Sequence, residues 1–200
     1  MLPFFSGVKT YIKEKRGKIG NVYLAIVHRL DRPVSGVIVF ARRSKAAARL
    51  SKQFRDGKVE KTYLAIVEGD VPWEYRVLRD FLFKDRQKNI VRVVTPLTLG
   101  AREAVLKVQV LSYLGNWTLV QIVPFTGRSH QIRIQLASRG FPIVGDRKYG
   151  SHWTMEAGHA IALHAHSLVV FHPITQKRMI FVAPLPLSWL ELGVSDIHYK

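Results

Sequence analysis

The sequence contains no cysteine among its 200 residues, so disulfide bonds and thiolate metal ligands are excluded. Because a chain without cysteine suits a reducing compartment, we expect a cytoplasmic protein. No apolar run approaches the roughly 20 residues that a membrane-spanning helix needs. The short apolar stretch 1–8 follows no basic segment, as a signal peptide would require. We therefore expect no association with a membrane.

Acidic residues are also scarce. The chain has 14 Asp and Glu against 31 Lys and Arg, which gives a formal net charge of +17. Since such an excess of one sign costs self-repulsion in a compact domain, it indicates a polyanionic partner, with nucleic acid first. The sequence has no helix-turn-helix or zinc-finger signature, which makes a DNA-binding protein the weaker alternative.

Sequence motifs for cofactors are missing as well. The phosphate loop GxxxxGK[ST], the dinucleotide fingerprint GxGxxG after a strand and the nucleophile elbow GxSxG are all absent. His164 and His166 fall on one face of a predicted strand, as a metal site could use, but no cluster of acids with ligand spacing accompanies them. We expect ordinary structural or RNA-facing histidines here, and neither a metal nor a nucleotide cofactor.

Apolar periodicity predicts mainly strands, with helices over 9–20, 44–56 and within 126–140. The predicted strands are 37–41 (buried on both faces), 60–70, 104–114, 116–125, 160–171 and 178–183, while 71–103 is interpreted as a hairpin or a surface excursion. These elements indicate the α+β class with a largely antiparallel sheet. The length fits a single domain, residues 1–200.

The predicted helix 44–56 has a basic side. Ser44 is expected to be its N-cap, and Gly57 is expected to end it. Lys45, Arg49 and Lys52 lie together on the side away from the apolar positions.

The stretch HRLDRPVSG, 28–36, places Asp31 between Arg29 and Arg32. Such an acid is a salt-bridge partner, a metal ligand or a nucleophile, and the residues alone leave the three open. Close cations favour the ionised form of a carboxylate. Because an ionised carboxylate in a pocket can act as a nucleophile without a cofactor, and because functional residues concentrate in loops, the third reading is attractive.

Two further stretches have a functional and an ordinary interpretation. In TGRSHQIR, Arg128, His130 and Arg133 cluster where a helix is predicted to begin, which favours anion binding; the alternative is a solvated basic helix. Tyr63 lies on the predicted strand 60–70, where a tyrosine either packs in the core or lines a site.

Three segments together resemble the RluA-type pseudouridine synthases: HRLDRPVSGVIVFARRSKAA, KTYLAIVEG and GRSHQIRIQLASRGFPIVGDRKYG, in this order within residues 22–183. The resemblance implies the pseudouridine synthase fold, with a catalytic cleft across a mixed sheet flanked by helices. It also implies isomerisation of uridine in RNA to pseudouridine, without a cofactor. By the same resemblance Asp31 is the catalytic aspartate, and Arg133 is its basic partner. Tyr63 stacks on the uracil and takes part in the proton abstraction that restores aromaticity.

The chemistry fits these assignments, because the uracil has to leave the RNA stack and enter a pocket with an aromatic face. Basic residues at the rim would then bind phosphates and position the strand. We expect this role for Arg29, Arg32, Lys45, Arg128 and His130. The expected partner is ribosomal or transfer RNA, and the expected state is a monomer.

Two departures from the family pattern stand out. Relatives usually begin with a strand that contains a Lys-Pro dipeptide, and many carry a separate S4 domain; this chain begins MLPFFSGVKTYIKEK, so we expect an N-terminally shortened catalytic domain. Gln135 stands where relatives commonly have His, and a modest effect is expected there. The missing strand also motivates a rival hypothesis, a catalytically silent RNA-binding module.

Overall fold

A computed structural model describes residues 3–17 and 20–194. The chain divides into two compact units. The smaller unit combines the chain up to Arg29 with Ile38–Val59 and Val170–Met179. The larger unit combines Leu30–Val37 with Glu60–Val169 and the chain from Ile180 onward. In the described ranges, no helix is both long and apolar enough to span a bilayer.

The structure contains three α-helices and ten strands in its described part. In chain order they are α1 (Pro3–Arg16), β1 (Ala25–Ile26), β2 (Ser35–Gly36), β3 (Phe40–Ala41), α2 (Ser44–Arg55), β4 (Glu60–Glu68), β5 (Tyr75–Asp85), β6 (Ile90–Val94), β7 (Arg102–Leu114), β8 (Trp117–Pro124), α3 (Gln131–Ala137), β9 (Leu163–Phe171) and β10 (Arg178–Val182). Short 3-10 helices lie between α3 and β9, at Arg147–Tyr149 and Glu156–Gly158, and after β10, at Leu187–Leu192.

One large mixed sheet organises the fold, with the strand order β10-β9-β4-β8-β7-β5-β6. The pairs of β4 with β8 and β9, and of β7 with β5 and β8, are antiparallel, whereas β2 joins β9 in parallel. The hairpin predicted around Gly115 is confirmed, since Leu114 pairs with Trp117 and Gly115 adopts a φ of +65° that suits glycine. The α+β class is therefore confirmed.

The core of the larger unit lies around β4. Leu64, Ala65, Ile66 and Val67 are all fully buried, so this strand is covered on both faces. From α3, Ile132 and Leu136 pack into the same cluster. Burial of each large aliphatic side chain contributes about 1.5–3 kcal/mol, which fixes α3 against the sheet. The packing also fixes the position of Arg133, which lies on α3.

The predicted strand 37–41 is wrong. Residues 37–39 have no strand structure, and all five residues except Ala41 are only half-buried. Gly36 and Phe40 instead belong to two different short strands, β2 and β3. Gly36 has a φ of +118°, outside the range of an extended strand. Its backbone also packs closely against the backbone of Ala165. The local pattern of apolar residues could not predict this contact between Gly36 and Ala165.

The helix predictions are right in place and partly wrong in detail. Ser44 is the first residue of α2, and the N-cap position belongs to Arg43, which makes no side-chain cap hydrogen bond. Gly57 ends the helix as predicted, with a φ of +69°. Helix α1 begins and ends earlier than the predicted range 9–20, of which residues 18 and 19 lie outside the described residues. Of the alternatives for 71–103, the hairpin is confirmed as β5 and β6.

Candidate active site

Asp31 lies in the loop that leads into β2, and two sets of backbone contacts hold this loop. The amide of Val34 donates to the carbonyl of Asp31 at 3.0 Å, which closes a turn. The following strand is anchored to β9, where Val37 N–H donates to the Ala165 carbonyl at 2.8 Å. The Asp31 side chain retains 30% of its surface exposed, so a ligand can reach the carboxylate.

Arg133 is the cation that faces Asp31. It lies on α3 with only 6% of its side chain exposed, and its Nη1 donates to Asp31 Oδ2 at 3.3 Å. The structure thus brings together the acid and the arginine that the motifs paired. Arg32, which is next to Asp31 in the sequence, is exposed and makes no ion pair with it in the described ranges.

Asp146 is a site residue that the sequence analysis missed. Its carboxylate, 1% exposed, accepts two hydrogen bonds from Arg133, from Nε at 2.6 Å and from Nη2 at 2.7 Å. Burial alone would lower the pKa of Arg133, but the bonds and charges of Asp146 and Asp31 outweigh it and raise that pKa. The guanidinium is therefore permanently charged and fixed in its plane.

Hydrogen bonds hold the loop that carries Asp146, both within the loop and between the loop and β4. The carbonyl of Asp146 accepts hydrogen bonds from the amides of Tyr149 and Ser151 at 3.0 and 3.1 Å. The Ser151 hydroxyl accepts from Gly145 N–H at 2.9 Å and donates to Glu68 Oε1 at 2.5 Å. These bonds connect the loop of Asp146 to β4 through the Ser151 hydroxyl.

Tyr149 and His130 form a second layer around Arg133. The Tyr149 ring lies 5.0 Å from the Arg133 guanidinium carbon, and its hydroxyl accepts from Val91 N–H at 3.0 Å. Burial lowers the pKa of His130; Asp31 opposes this shift, while Arg133 and other nearby cations reinforce it. A neutral imidazole can accept a hydrogen bond at Nδ1 from the Tyr149 hydroxyl, which lies 2.7 Å away.

Tyr63 lies on β4, where it pairs with Ile122 of β8, and it packs against the hydrophobic core as a half-buried residue. Burial, and then the negative charge of Asp31, raises the pKa of Tyr63 to about 12. The phenol is therefore neutral at physiological pH and offers a ring face and an O–H donor. The negative charge of Asp31 thus acts on the Tyr63 phenol.

The predicted rim residues are all at the surface except His130. Arg32 and Arg128 are exposed in the larger unit, and Arg29 and Lys45 are exposed in the smaller unit. Arg128 is partly engaged, since its Nε donates to the Glu103 carbonyl at 2.8 Å. The remaining rim guanidiniums present positive charge to solvent, as phosphate binding requires.

His164 has a structural environment. It is buried on β9, its Nδ1 lies 2.8 Å from the Ser35 hydroxyl, and its ring packs edge-on against Trp189. Burial lowers its pKa. Across the part of the chain that the structure describes, no group of three or more His, Cys, Asp or Glu side chains is arranged to hold a metal ion.

Comparison with known proteins identifies a consistent set of relatives. A family model described as RNA pseudouridylate synthase matches residues 7–138. Ribosomal large subunit pseudouridine synthase C of Buchnera aphidicola is 37% identical over 98% of this chain and 61% of its own length. Dual-specificity RNA pseudouridine synthase RluA of Haemophilus influenzae is 36% identical over 90% of this chain and 80% of its own length. The chain thus spans about three fifths of the first relative.

The solved structure of Human RNA Pseudouridylate Synthase Domain Containing 4 superimposes with a TM-score of 0.80 over 98% of this chain and 85% of that chain. At 24% identity this likeness shows a shared fold.

Proposed function

This chain belongs to the RNA pseudouridylate synthase family, and we propose that it isomerises uridine to pseudouridine in structured RNA, ribosomal or transfer. The observation that carries the proposal is the accessible Asp31 carboxylate held 3.3 Å from the buried Arg133, with the Tyr63 phenol within reach of its charge. Relatives support the choice of RNA, since their names specify the ribosomal large subunit and, in Pasteurella multocida, transfer RNA.

Asp31 acts as the nucleophile. Arg133 orients the carboxylate, and it can do so without losing its own position because Asp146 holds it from the other side. During the reaction the N-glycosidic bond breaks, the base rejoins the sugar through carbon, that carbon loses its proton, and the released ring nitrogen gains one. Substrate and product are isomers, so the reaction consumes neither a cofactor nor a metal.

Tyr63 supplies an aromatic face for the extruded uracil. Stacking of a base on an aromatic side chain contributes about 1–3 kcal/mol, which offsets part of the cost of taking the base out of its helix. Because its pKa is raised to about 12, the phenol is neutral before the substrate binds.

The basic rim binds the RNA backbone. Arg29, Arg32, Lys45 and Arg128 are exposed, and together with His130 they position the strand through phosphate contacts. We further propose that residues 1–200 act as a single catalytic domain, as a monomer in the cytoplasm; the absence of cysteine supports the compartment.

The test is direct. Purified protein is incubated with total cellular RNA, and pseudouridine is mapped before and after, with Asp31→Ala and the matched surface variant Asp70→Ala in parallel. Wild type and Asp70→Ala should form product at the same sites, because Asp70 is exposed, while Asp31→Ala should form none and still bind RNA. Well-folded wild type that binds RNA in a salt-sensitive way and forms no product would overturn the proposal in favour of the silent binder.

A further inference from the structure

Lys61 lies beside the candidate active site without any role in the chemistry described above. It is on β4, two residues before Tyr63, and it is half-buried.

The ammonium of Lys61 points toward the turn that precedes α3. A Cβ built on Gly127 would lie 3.8 Å from Lys61 Nζ, so the cation is next to the first residue of GRSHQIR. Lys84 Nζ lies 3.5 Å from the Ser129 hydroxyl of the same turn. Two cations from different strands therefore lie next to residues 127–129.

Lys61 has no counter-charge. Within the described ranges its ammonium makes no ion pair and no hydrogen bond, whereas Arg133, which is also buried, is saturated by carboxylates. Burial is the cause that lowers the pKa of Lys61, with no acid to oppose it. A half-buried ammonium without a partner is destabilising, and an anionic ligand is what would make its retention favourable.

We infer that Lys61 is a positioning residue that binds a backbone phosphate of the RNA over the turn 127–129, next to the uridine that reaches Asp31. This inference rests on the proposed function for the identity of the ligand. A lysine suits the task because its ammonium donates in several directions to a tetrahedral phosphate. Lys84 adds a second positive charge beside the same turn.

The experiment removes the charge and keeps the length of the side chain. Lys61→Met is compared with Lys107→Met, a matched control on β7. Lys107 is also half-buried in a strand, but its neighbours Leu106 and Val108 occupy the core face, so Lys107 points to the opposite face, over the ring of Tyr75. Affinity for a labelled RNA stem-loop substrate is measured over a series of KCl concentrations, together with kcat, KM and urea unfolding.

For Lys61→Met we expect about tenfold weaker RNA binding and a salt slope smaller by about one, as the loss of a single phosphate contact predicts. KM should rise by a similar factor with kcat nearly unchanged, and stability should be equal or higher. Lys61→Arg should restore most of the affinity. Lys107→Met should resemble wild type.

The inference is overturned if Lys61→Met keeps the wild-type affinity and salt slope, or if its defect is a loss of stability. This outcome can be distinguished from failure of the proposed function. If wild type binds RNA and forms no pseudouridine, the proposed function fails, and the salt slope still decides whether Lys61 binds phosphate.

Discussion

Arg133 and Asp146 form a buried, two-point ion pair, with Nε–Oδ2 and Nη2–Oδ1 distances of 2.6 and 2.7 Å. Two parallel bonds fix both the plane and the rotation of the guanidinium. The one remaining nitrogen, Nη1, then has a single direction, which is toward Asp31. Asp146, which orients the charge of Arg133 toward Asp31, is therefore 115 positions downstream of Asp31 (146 − 31).

We predict that Asp146→Asn weakens both folding and turnover. The substitution preserves shape but leaves only Asp31 to compensate the buried charge of Arg133, so the free energy of unfolding should fall by about 3 kcal/mol. Turnover should fall by about 100-fold, because a misplaced Arg133 no longer orients Asp31. Urea denaturation and single-turnover pseudouridine formation measure the two effects.

The control for this prediction is Glu103→Gln. Glu103 pairs with Arg79 at the surface, where both side chains are well exposed, and such pairs contribute less than about 1 kcal/mol. If Asp146→Asn is as stable and as active as Glu103→Gln, Arg133 does not depend on Asp146 for its position.

Gly36→Ala should be among the most damaging changes to a small residue in the larger unit. An added Cβ would lie 2.3 Å from the Ala165 carbonyl oxygen, in a backbone conformation with a φ of +118°. The three nearest atoms are the backbone O, N and C of Ala165, which cannot rotate away. We therefore expect the free energy of unfolding to fall by about 3 kcal/mol or more, measured by thermal and urea unfolding. Activity should fall with it, because β2 anchors the loop of Asp31.

Gly7→Ala is the matched comparison. Gly7 lies within α1 with nothing within 4 Å of an added Cβ, so the helix should gain about 0.5–1 kcal/mol. Equal stabilities of the two variants would show that Gly36 does not approach β9 as closely as described.

The pKa of Tyr63, raised to about 12, predicts a late phenol titration. The folded protein binds this proton more tightly than the unfolded chain, whose tyrosines titrate near 10. The resulting stability is complete below pH 10 and is lost as the pH rises from 10 to 12. Ultraviolet titration of tyrosinate, with Tyr63→Phe as the difference, measures the step.

Asp31 provides an internal check on this titration. Its negative charge contributes to the raised pKa of Tyr63, so Asp31→Asn should move the Tyr63 step to lower pH. Asp85→Asn, at the end of β5, should leave the step in place. A Tyr63 step that is the same in wild type and Asp31→Asn would contradict the proximity of the two side chains.

The sequence predicts the parts of this protein that are encoded locally. The alternation in 60–70 and the Gly115 turn predict β4 and the β7–β8 hairpin correctly, and the motif order predicts the family. Asp146 was missed because its partner lies on another element, and nothing around GDRKYG indicates that the acid is buried. If Asp146 were known to be buried, a cationic partner such as Arg133 would be expected for it.

Gln135 illustrates the same limit. A modest effect was expected because the residue lies beyond Arg133 on the helix, yet it is fully buried, and its Nε2 donates to Asp80 Oδ2 of β5 at 2.6 Å. Since the two residues are 55 positions apart, the local pattern contains no trace of the bond. Its effect on activity stays a prediction.

The parallel pairing of β2 with β9 also has a consequence for biosynthesis. Ser35 and His164 are 129 positions apart, so the support for the Asp31 loop emerges from the ribosome long after the loop itself. Contacts of such long range form late, and a nascent chain that ends before β9 lacks the strand that supports the Asp31 loop. Products of interrupted translation that end before β9 should therefore show no pseudouridine formation.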